Sequence, residues 1–138
     1  MRVEAVVAEL VRLGLDDVIQ ASEAAYVSTY TIGAKTDTEV RESTVEAVRL
    51  LLQRGLMEIG DIVSVRCPQA REGHILDVAS WGLSPPEAAA RVDREWRALG
   101  RRPNLGELFW LRNTALGNQM GQALFDDYEN VQHEEDDS

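Results

Sequence analysis

The segment Ser84-Pro85-Pro86-Glu87 is the feature that most strongly constrains the fold of this chain. Serine is favoured at the N-cap of a helix, proline at the first helical position and glutamate at the third. Apolar residues then recur at helical spacing as far as Gly100, and glycine is typical of helix ends. We therefore predict a helix from Pro85 to about Leu99. Its predicted buried stripe consists of Ala88, Val92, Trp96 and Leu99.

Two helices are predicted before residue 33. Apolar residues over residues 3 to 13 recur near the spacing of one helical face, which predicts an amphipathic helix. The acids Asp16-Asp17 can cap a second helix, whose centre is rich in alanine. This helix is predicted to stop near Tyr30, because the β-branched residues between Val27 and Ile32 weaken helix formation. A short strand over Val27 to Ile32 is the alternative.

A third helix and a β segment follow. Asp37 or Thr38 can cap the helix, and Gly55 supplies the left-handed residue expected after its last turn. Leu56 to Val65 contains two β-prone runs around Gly60-Asp61. Because glycine next to aspartate is common in turns, this segment is predicted to be either one strand or a hairpin.

The C-terminal stretch GELFWLRNTALGNQMGQALF, residues 106 to 125, predicts a last strand and a last helix. Leu108 to Leu111 form the strand, in which Phe109 and Trp110 alternate, so that one of the two faces outward. Thr114 can cap the helix. The helix contains two glycines and is intrinsically weak, so it requires tertiary packing.

Length and charge indicate one domain with an acidic tail. A chain of 138 residues is long enough for one core and short for two ordinary domains. The net charge is −10, and seven acids follow Phe125 without a lysine or arginine, which leaves −3 for residues 1–125. We expect a single domain over residues 1–125 and a disordered acidic tail over residues 126–138. The charge disfavours nucleic-acid binding without excluding a local basic patch.

Several other classes of protein lack support in the sequence. No apolar run approaches the roughly 20 residues of a membrane span, and acids interrupt the N-terminal hydrophobic residues, so we expect a cytoplasmic protein without membrane contact. With one cysteine and two histidines, no metal or cofactor site is predicted. Cys67, His74 and Asp77 are close in sequence, but catalytic triads are assembled in space. We therefore expect a protein that is not an enzyme.

The order of these elements resembles that of winged-helix domains. Three helices precede a GLMEIGDIV strand, an FWL strand follows, and Asn113-Thr114 leads into a helix through the Thr-x-x-Gly pattern completed by Gly117. The resemblance covers residues 15 to 125 and implies an α+β, helix-rich domain with a small antiparallel sheet. In one respect the chain departs from the family, whose wing is ordinarily a short loop. Here the wing would contain an inserted helix, Pro85 to Leu99.

A second resemblance concerns function. The strings LLQRGLMEIGDI, LSPPEAAARVDREWRALG and GELFWLRNTALG together resemble an uncharacterised family of small acidic proteins from high-GC bacteria. Some members lie beside secreted toxins and are suspected immunity proteins. The resemblance implies protein binding rather than catalysis, and it assigns no functional residue.

Two hypotheses follow from these patterns. The first is an acidic module that masks a basic surface of a partner, such as a toxin, or that binds itself. Acids supply electrostatic steering and an aromatic residue supplies the anchor. The residues predicted for this interface are Glu58, Asp61, Trp81 and Trp110.

The second hypothesis is a winged-helix transcriptional regulator. The resemblance places the third helix where such proteins read the major groove, but this helix carries three acids beside its three bases, and carboxylates repel the phosphate backbone. A regulator is expected to gather its arginines into one positive face, whereas a masking protein is expected to present a negative one. The arginines that decide between them are Arg41, Arg49, Arg54, Arg101 and Arg102.

Overall fold

The computed structural model describes residues 3–136 and the side chains as far as Asp127. Within that range the helices are α1 (Val3–Leu13), α2 (Ala21–Ile32), α3 (Asp37–Gln53), α4 (Pro85–Leu99) and α5 (Ala115–Asp136). The strands are β1 (Ile19–Gln20), β2 (Met57–Arg66), β3 (His74–Ser80) and β4 (Trp110–Asn113). The chain therefore has an α+β fold, as predicted. Within residues 3–136, no helix combines the length and the apolar character needed to cross a membrane.

Helix α4 confirms the strongest local prediction. The Ser84 hydroxyl accepts a hydrogen bond from the Glu87 backbone N–H at 3.3 Å, and Gly100 ends the helix in the left-handed conformation at φ 72°. The predicted stripe is buried at Ala88, Val92 and Trp96, and Leu99 is only partly buried.

The starts of two helices differ from the prediction. Helix α2 begins at Ala21 rather than after Asp16-Asp17, because Ile19 and Gln20 are drawn into the sheet opposite β4. It continues to Ile32 through the β-branched segment, where no strand forms. Helix α3 is capped by Thr36, whose hydroxyl accepts from the Glu39 N–H at 3.1 Å, rather than by Asp37 or Thr38.

The four strands form one antiparallel sheet in the order β1-β4-β2-β3. Strand β2 is continuous through Gly60-Asp61, so the hairpin alternative within Leu56 to Val65 is wrong. The turn of the hairpin lies between Arg66 and His74 and leads into β3. Strand β3 itself was not predicted from the sequence. Glycine is required at position 60 because the backbones of β2 and β3 approach each other closely there. A Cβ atom at this position would lie 1.8 Å from the Ala79 carbonyl oxygen on β3.

The hydrophobic core lies between the sheet and helices α1 to α4. Helix α1 packs against α2, α3 and α5, and α3 packs against α4. Phe109 is fully buried and Trp110 is half-buried, which confirms that one of this pair faces outward. The largest fully buried side chains include Phe109, Leu10, Ile19, Leu51 and Leu111.

Helix α5 lies against the body through its glycines. A Cβ atom at Gly117 would lie 2.0 Å from the Leu56 carbonyl oxygen, and one at Gly121 would lie 2.8 Å from the Val11 carbonyl oxygen. Thr114 caps the helix as predicted, accepting from the Gly117 N–H at 3.1 Å. The two glycines that weaken the isolated helix are therefore the residues that let it dock.

The helix continues past the predicted domain boundary at Phe125, as far as Asp136. Residues 126–136 are thus helical, which differs from the predicted disordered tail; residues 137 and 138 lie outside the described range. A helix nucleated by its packed first turns gains one hydrogen bond for each further residue, so extension costs little. At the boundary, the Gln122 amide donates to the Asp126 carboxylate at 3.0 Å, one turn ahead.

Candidate functional site

The four residues predicted to bind a partner lie on or next to the sheet. In the register of β2 and β4, Glu58 lies opposite Arg112 and Gly60 opposite Trp110. Strand alternation places Glu58 and Trp110 on the face that points away from the core, and places Asp61 on the other face. The structure therefore divides the predicted interface between the two faces.

On the outer face, Glu58 belongs to an ion-pair network. The Arg112 guanidinium pairs with the Glu58 carboxylate and also donates to Asp77 at 2.6 Å. The Val78 backbone N–H and then Arg112 lower the pKa of Asp77. Glu58 is thus engaged by a neighbouring strand.

On the other side, Trp81 is held by two contacts. Its indole N–H donates to the Asp61 carboxylate at 3.2 Å. The Arg91 guanidinium of α4 lies 3.7 Å from the Trp81 ring centroid, in cation–π geometry. Trp81 is half-buried and packs against the core. The structure brings Asp61 and Trp81 together, and their contacts attach α4 to the sheet.

The five arginines that distinguish the two hypotheses are each paired with a carboxylate. Three of these pairs join different parts of the fold, one lies within α3 and one lies within the connection between α4 and β4. The pairs are Arg41–Asp93 at 3.2 Å, Arg49–Glu46, Arg54–Glu4 at 2.6 Å, Arg101–Glu107 at 2.7 Å and Arg102–Asp37 at 3.0 Å. A carboxylate beside each guanidinium cancels most of its field at the distance of a phosphate. Arg41 and Arg101 line one pocket together with Asp37, the partner of Arg102, whereas Arg49 and Arg54 are paired outside that pocket. The five arginines therefore do not form one unpaired positive face.

Arg101→Gln is expected to raise the pKa of Glu107 from about 2 towards its ordinary value of 4.5, because the hydrogen bonds from Arg101 are the largest cause of the lowering. A lowered carboxyl pKa stabilises the folded state above the ordinary pKa, and this contribution is lost as the pH falls from 4.5 towards 2. Carboxyl NMR titration measures the change directly. The matched control is Arg94→Gln, since Arg94 makes no ion pair within the described residues. Titration of Glu107 near 4.5 in the unaltered protein would show that this contact is not held in solution.

An acidic groove opens between the start of α1, the end of α2 and the first half of α3. Its volume is about 330 Å³. One wall is apolar and is formed by Val3, Ile32 and Ala34; the other is formed by α3. The α3 residues are Glu39, Glu42, Ser43 and Glu46. We call this surface the α3 groove.

The carboxylates of the α3 groove differ in their partners. Glu46 is paired with Arg49, whose hydrogen bond lowers the pKa of Glu46. Glu39 accepts a hydrogen bond from the Lys35 backbone N–H at 3.2 Å. Glu42 makes no ion pair with any other residue of the described part of the chain. The groove therefore presents unneutralised negative charge beside an apolar wall.

The three acids of the third helix were predicted to repel DNA, but no groove was predicted from the sequence. The signal was the spacing of Glu39, Glu42 and Glu46, which puts three carboxylates on one helical face. The apolar wall comes from α1 and α2, which are distant in sequence, and no local pattern reports that contact.

The side chains of Cys67, His74 and Asp77 are not arranged as a catalytic site. Cys67 contacts Gln69 through its sulfur, and Asp77 is bonded to Arg112 and to the Val78 N–H. Within the described residues, no hydrogen bond joins Cys67, His74 and Asp77 side chains to one another. No cluster there has the side chains to hold a metal ion.

Comparison with protein-family models, with curated proteins and with solved structures finds no match to this chain.

Proposed function

We propose that this protein is a non-enzymatic, acidic binding module that covers a basic surface of a partner protein, as an immunity or inhibitor protein would. The observation that carries the proposal is the distribution of charge. Each of the five arginines has a carboxylate partner, with Arg41 sharing Asp93 with Arg97, whereas Glu42 and Glu39 line an open groove and make no ion pair within the described residues. A cytoplasmic location belongs to the same proposal.

We further propose that the fold is a winged helix with an enlarged wing. Support comes from the adjacent strands β1, β4 and β2, with α2 and α3 placed between β1 and β2 along the chain. Strand β3 and helix α4 would then form the insertion in the wing. The charge pairs of α3 favour a protein partner over DNA on this fold.

In the proposed complex, lysine or arginine side chains of the partner enter the α3 groove. Their methylene groups pack on Val3, Ile32 and Ala34, and the cationic ends reach Glu42 and Glu39. Long-range attraction between a negative and a positive surface accelerates association, and the apolar wall supplies contact area.

Glu42→Lys is expected to weaken partner binding by about tenfold or more, because it removes a favourable charge and introduces a repulsive one. The partner is first captured from the native host with the tagged protein at low and moderate salt and identified by mass spectrometry. Its affinity for each variant is then measured by calorimetry. The control is Glu72→Lys, which makes the same charge change on the exposed loop between β2 and β3.

Two further variants locate the interface. If Glu58→Lys and Asp61→Lys abolish binding while Glu42→Lys does not, the partner lies on the sheet rather than in the α3 groove. If Glu42→Lys and Glu72→Lys weaken binding equally, net charge rather than a defined site is responsible, which contradicts the proposal.

One observation favours DNA binding as the second candidate function. The far end of the β2–β3 hairpin carries Arg66 and Arg71, and neither side chain makes an ion pair within the described part of the chain. In a winged-helix arrangement, a basic wing tip can contact phosphates. This candidate places the contact on the wing rather than on α3.

A further inference from the structure

Two tyrosines on α2 are exposed side by side. Tyr26 is 67% exposed and Tyr30 is 51% exposed. Their ring centroids are 5.0 Å apart and the rings are inclined at 65° to each other. Tyrosine is enriched at binding hot spots, because its large aromatic ring buries much area and its hydroxyl can form a hydrogen bond.

The tyrosines line a cavity of about 380 Å³ between the end of α1 and the outer face of α2. Leu13 and Val27 supply its apolar surface, and Glu23 lies one turn before Tyr26 on the same side of the helix. The Ser22 hydroxyl also lines this cavity; it is buried and has no hydrogen-bond partner among the described residues. We call this surface the tyrosine pocket.

The polar groups of the tyrosine pocket favour a cation. The carboxylate of Glu23 has one described hydrogen bond, a long contact of 3.5 Å from the Gln20 N–H, and makes no ion pair within the described residues. Burial is the largest cause that raises the pKa of Tyr30, so its phenol stays neutral and presents an intact π face. The neighbouring cation, Arg12, is already paired with Glu9. A carboxylate next to two aromatic rings attracts a positive group both electrostatically and through cation–π contact.

We propose that the tyrosine pocket receives an arginine side chain of the basic partner. The guanidinium plane stacks on the Tyr26 ring and contacts the edge of the inclined Tyr30 ring. It donates to Glu23 and supplies the missing hydrogen bond to the Ser22 hydroxyl. Leu13 and Val27 receive the methylene groups. Arginine fits better than lysine because its planar fork can stack and donate several hydrogen bonds at once. This inference rests on the proposed function, since it names the side chain by which the same partner is anchored.

The test uses a defined probe, a capped tri-arginine peptide, titrated into the isotope-labelled full chain and followed by amide NMR. A capped tri-norleucine peptide of similar length is the uncharged comparison. We expect shifts at residues 22–30 with the arginine peptide, and affinity lower by about fivefold in Tyr26→Ala and in Glu23→Gln. Tyr26→Phe keeps the ring face and is expected to stay within about twofold of the unaltered protein. Glu72→Gln, on the exposed hairpin loop, is the charge control.

Four outcomes would overturn the inference. Shifts confined to the α3 groove would show that arginine does not bind in the tyrosine pocket, and the proposed function would still hold. Equal binding of the norleucine peptide would mean that the occupant is apolar. Shifts that depend on protein concentration without peptide would mean that a second copy covers the tyrosines. The absence of amide shifts at both surfaces would exclude arginine binding in the tyrosine pocket. The proposed function is contradicted by a different result, a partner affinity that does not change in Glu42→Lys.

Discussion

Gly60→Ala is expected to destabilise the protein by about 3 kcal/mol or more. The added Cβ atom would lie 1.8 Å from the Ala79 carbonyl oxygen and 2.5 Å from the Ala79 carbonyl carbon. Both are backbone atoms of the paired strand, so no side chain can move aside to make room. Strands β2 and β3 must separate locally, and the ladder from Gly60 to Arg66 is disturbed at its first pair. Urea unfolding followed by tryptophan fluorescence measures the loss.

The matched control for this prediction is Gly73→Ala in the same hairpin. Gly73 has a positive φ of 78° and open space around the position of a Cβ atom, so alanine there adds backbone strain without a collision. A cost of about 1–2 kcal/mol is expected from that strain. If Gly60→Ala costs no more than Gly73→Ala, β3 does not approach β2 as closely as described.

Gly117→Ala is expected to destabilise the protein by about 2 kcal/mol, although alanine is the better helix former by about 1 kcal/mol. The added Cβ atom would lie 2.0 Å from the Leu56 carbonyl oxygen. That oxygen accepts hydrogen bonds from the Thr114 backbone N–H at 3.0 Å and from its hydroxyl at 3.2 Å. The collision therefore falls in the connection between β4 and α5. Helix propensity alone predicts that Gly117→Ala raises the free energy of unfolding, whereas packing predicts that it lowers it.

Asn118→Ala provides the comparison for Gly117→Ala, because Asn118 is exposed on the same turn of α5. It is expected to stabilise slightly, by a few tenths of a kcal/mol, through helix propensity alone. Thermal unfolding of both variants checks the pair. Stabilisation by Gly117→Ala of similar size to Asn118→Ala would show that α5 is not packed against Leu56.

The sequence predicts those elements whose signals are local. The boundaries of α4 follow from Ser84, Pro85 and Gly100, which act on the backbone within one turn. Strand β3 was missed because its pairing with β2 depends on contacts distant in sequence, and its side chains do not alternate clearly between apolar and polar. Gly60 illustrates the ambiguity of glycine, since one residue type serves both a turn and a close approach of backbones.

For the candidate sites too, the residue types can be predicted from the sequence but their contacts cannot. Acidic and aromatic residues such as Glu58 and Trp81 are visible in the sequence, but the register that supplies Arg112 to one and Asp61 to the other is not. The tyrosine pocket was missed although its signal is present. Tyr26 and Tyr30 lie four residues apart in a helix whose opposite side is alanine-rich, so they share one face.

The most direct test of the central claim compares a protein ligand with DNA. The protein is titrated by fluorescence anisotropy with its captured partner and, separately, with duplex fragments of the host genome at about 50 mM and about 300 mM salt. We expect the partner to bind with an affinity that falls as salt rises and is reduced by Glu42→Lys, and the duplexes not to bind at either salt. Specific duplex binding that is lost on replacing Arg66 and Arg71 by glutamine, without any dependence on Glu42, would contradict the account and establish the regulator instead.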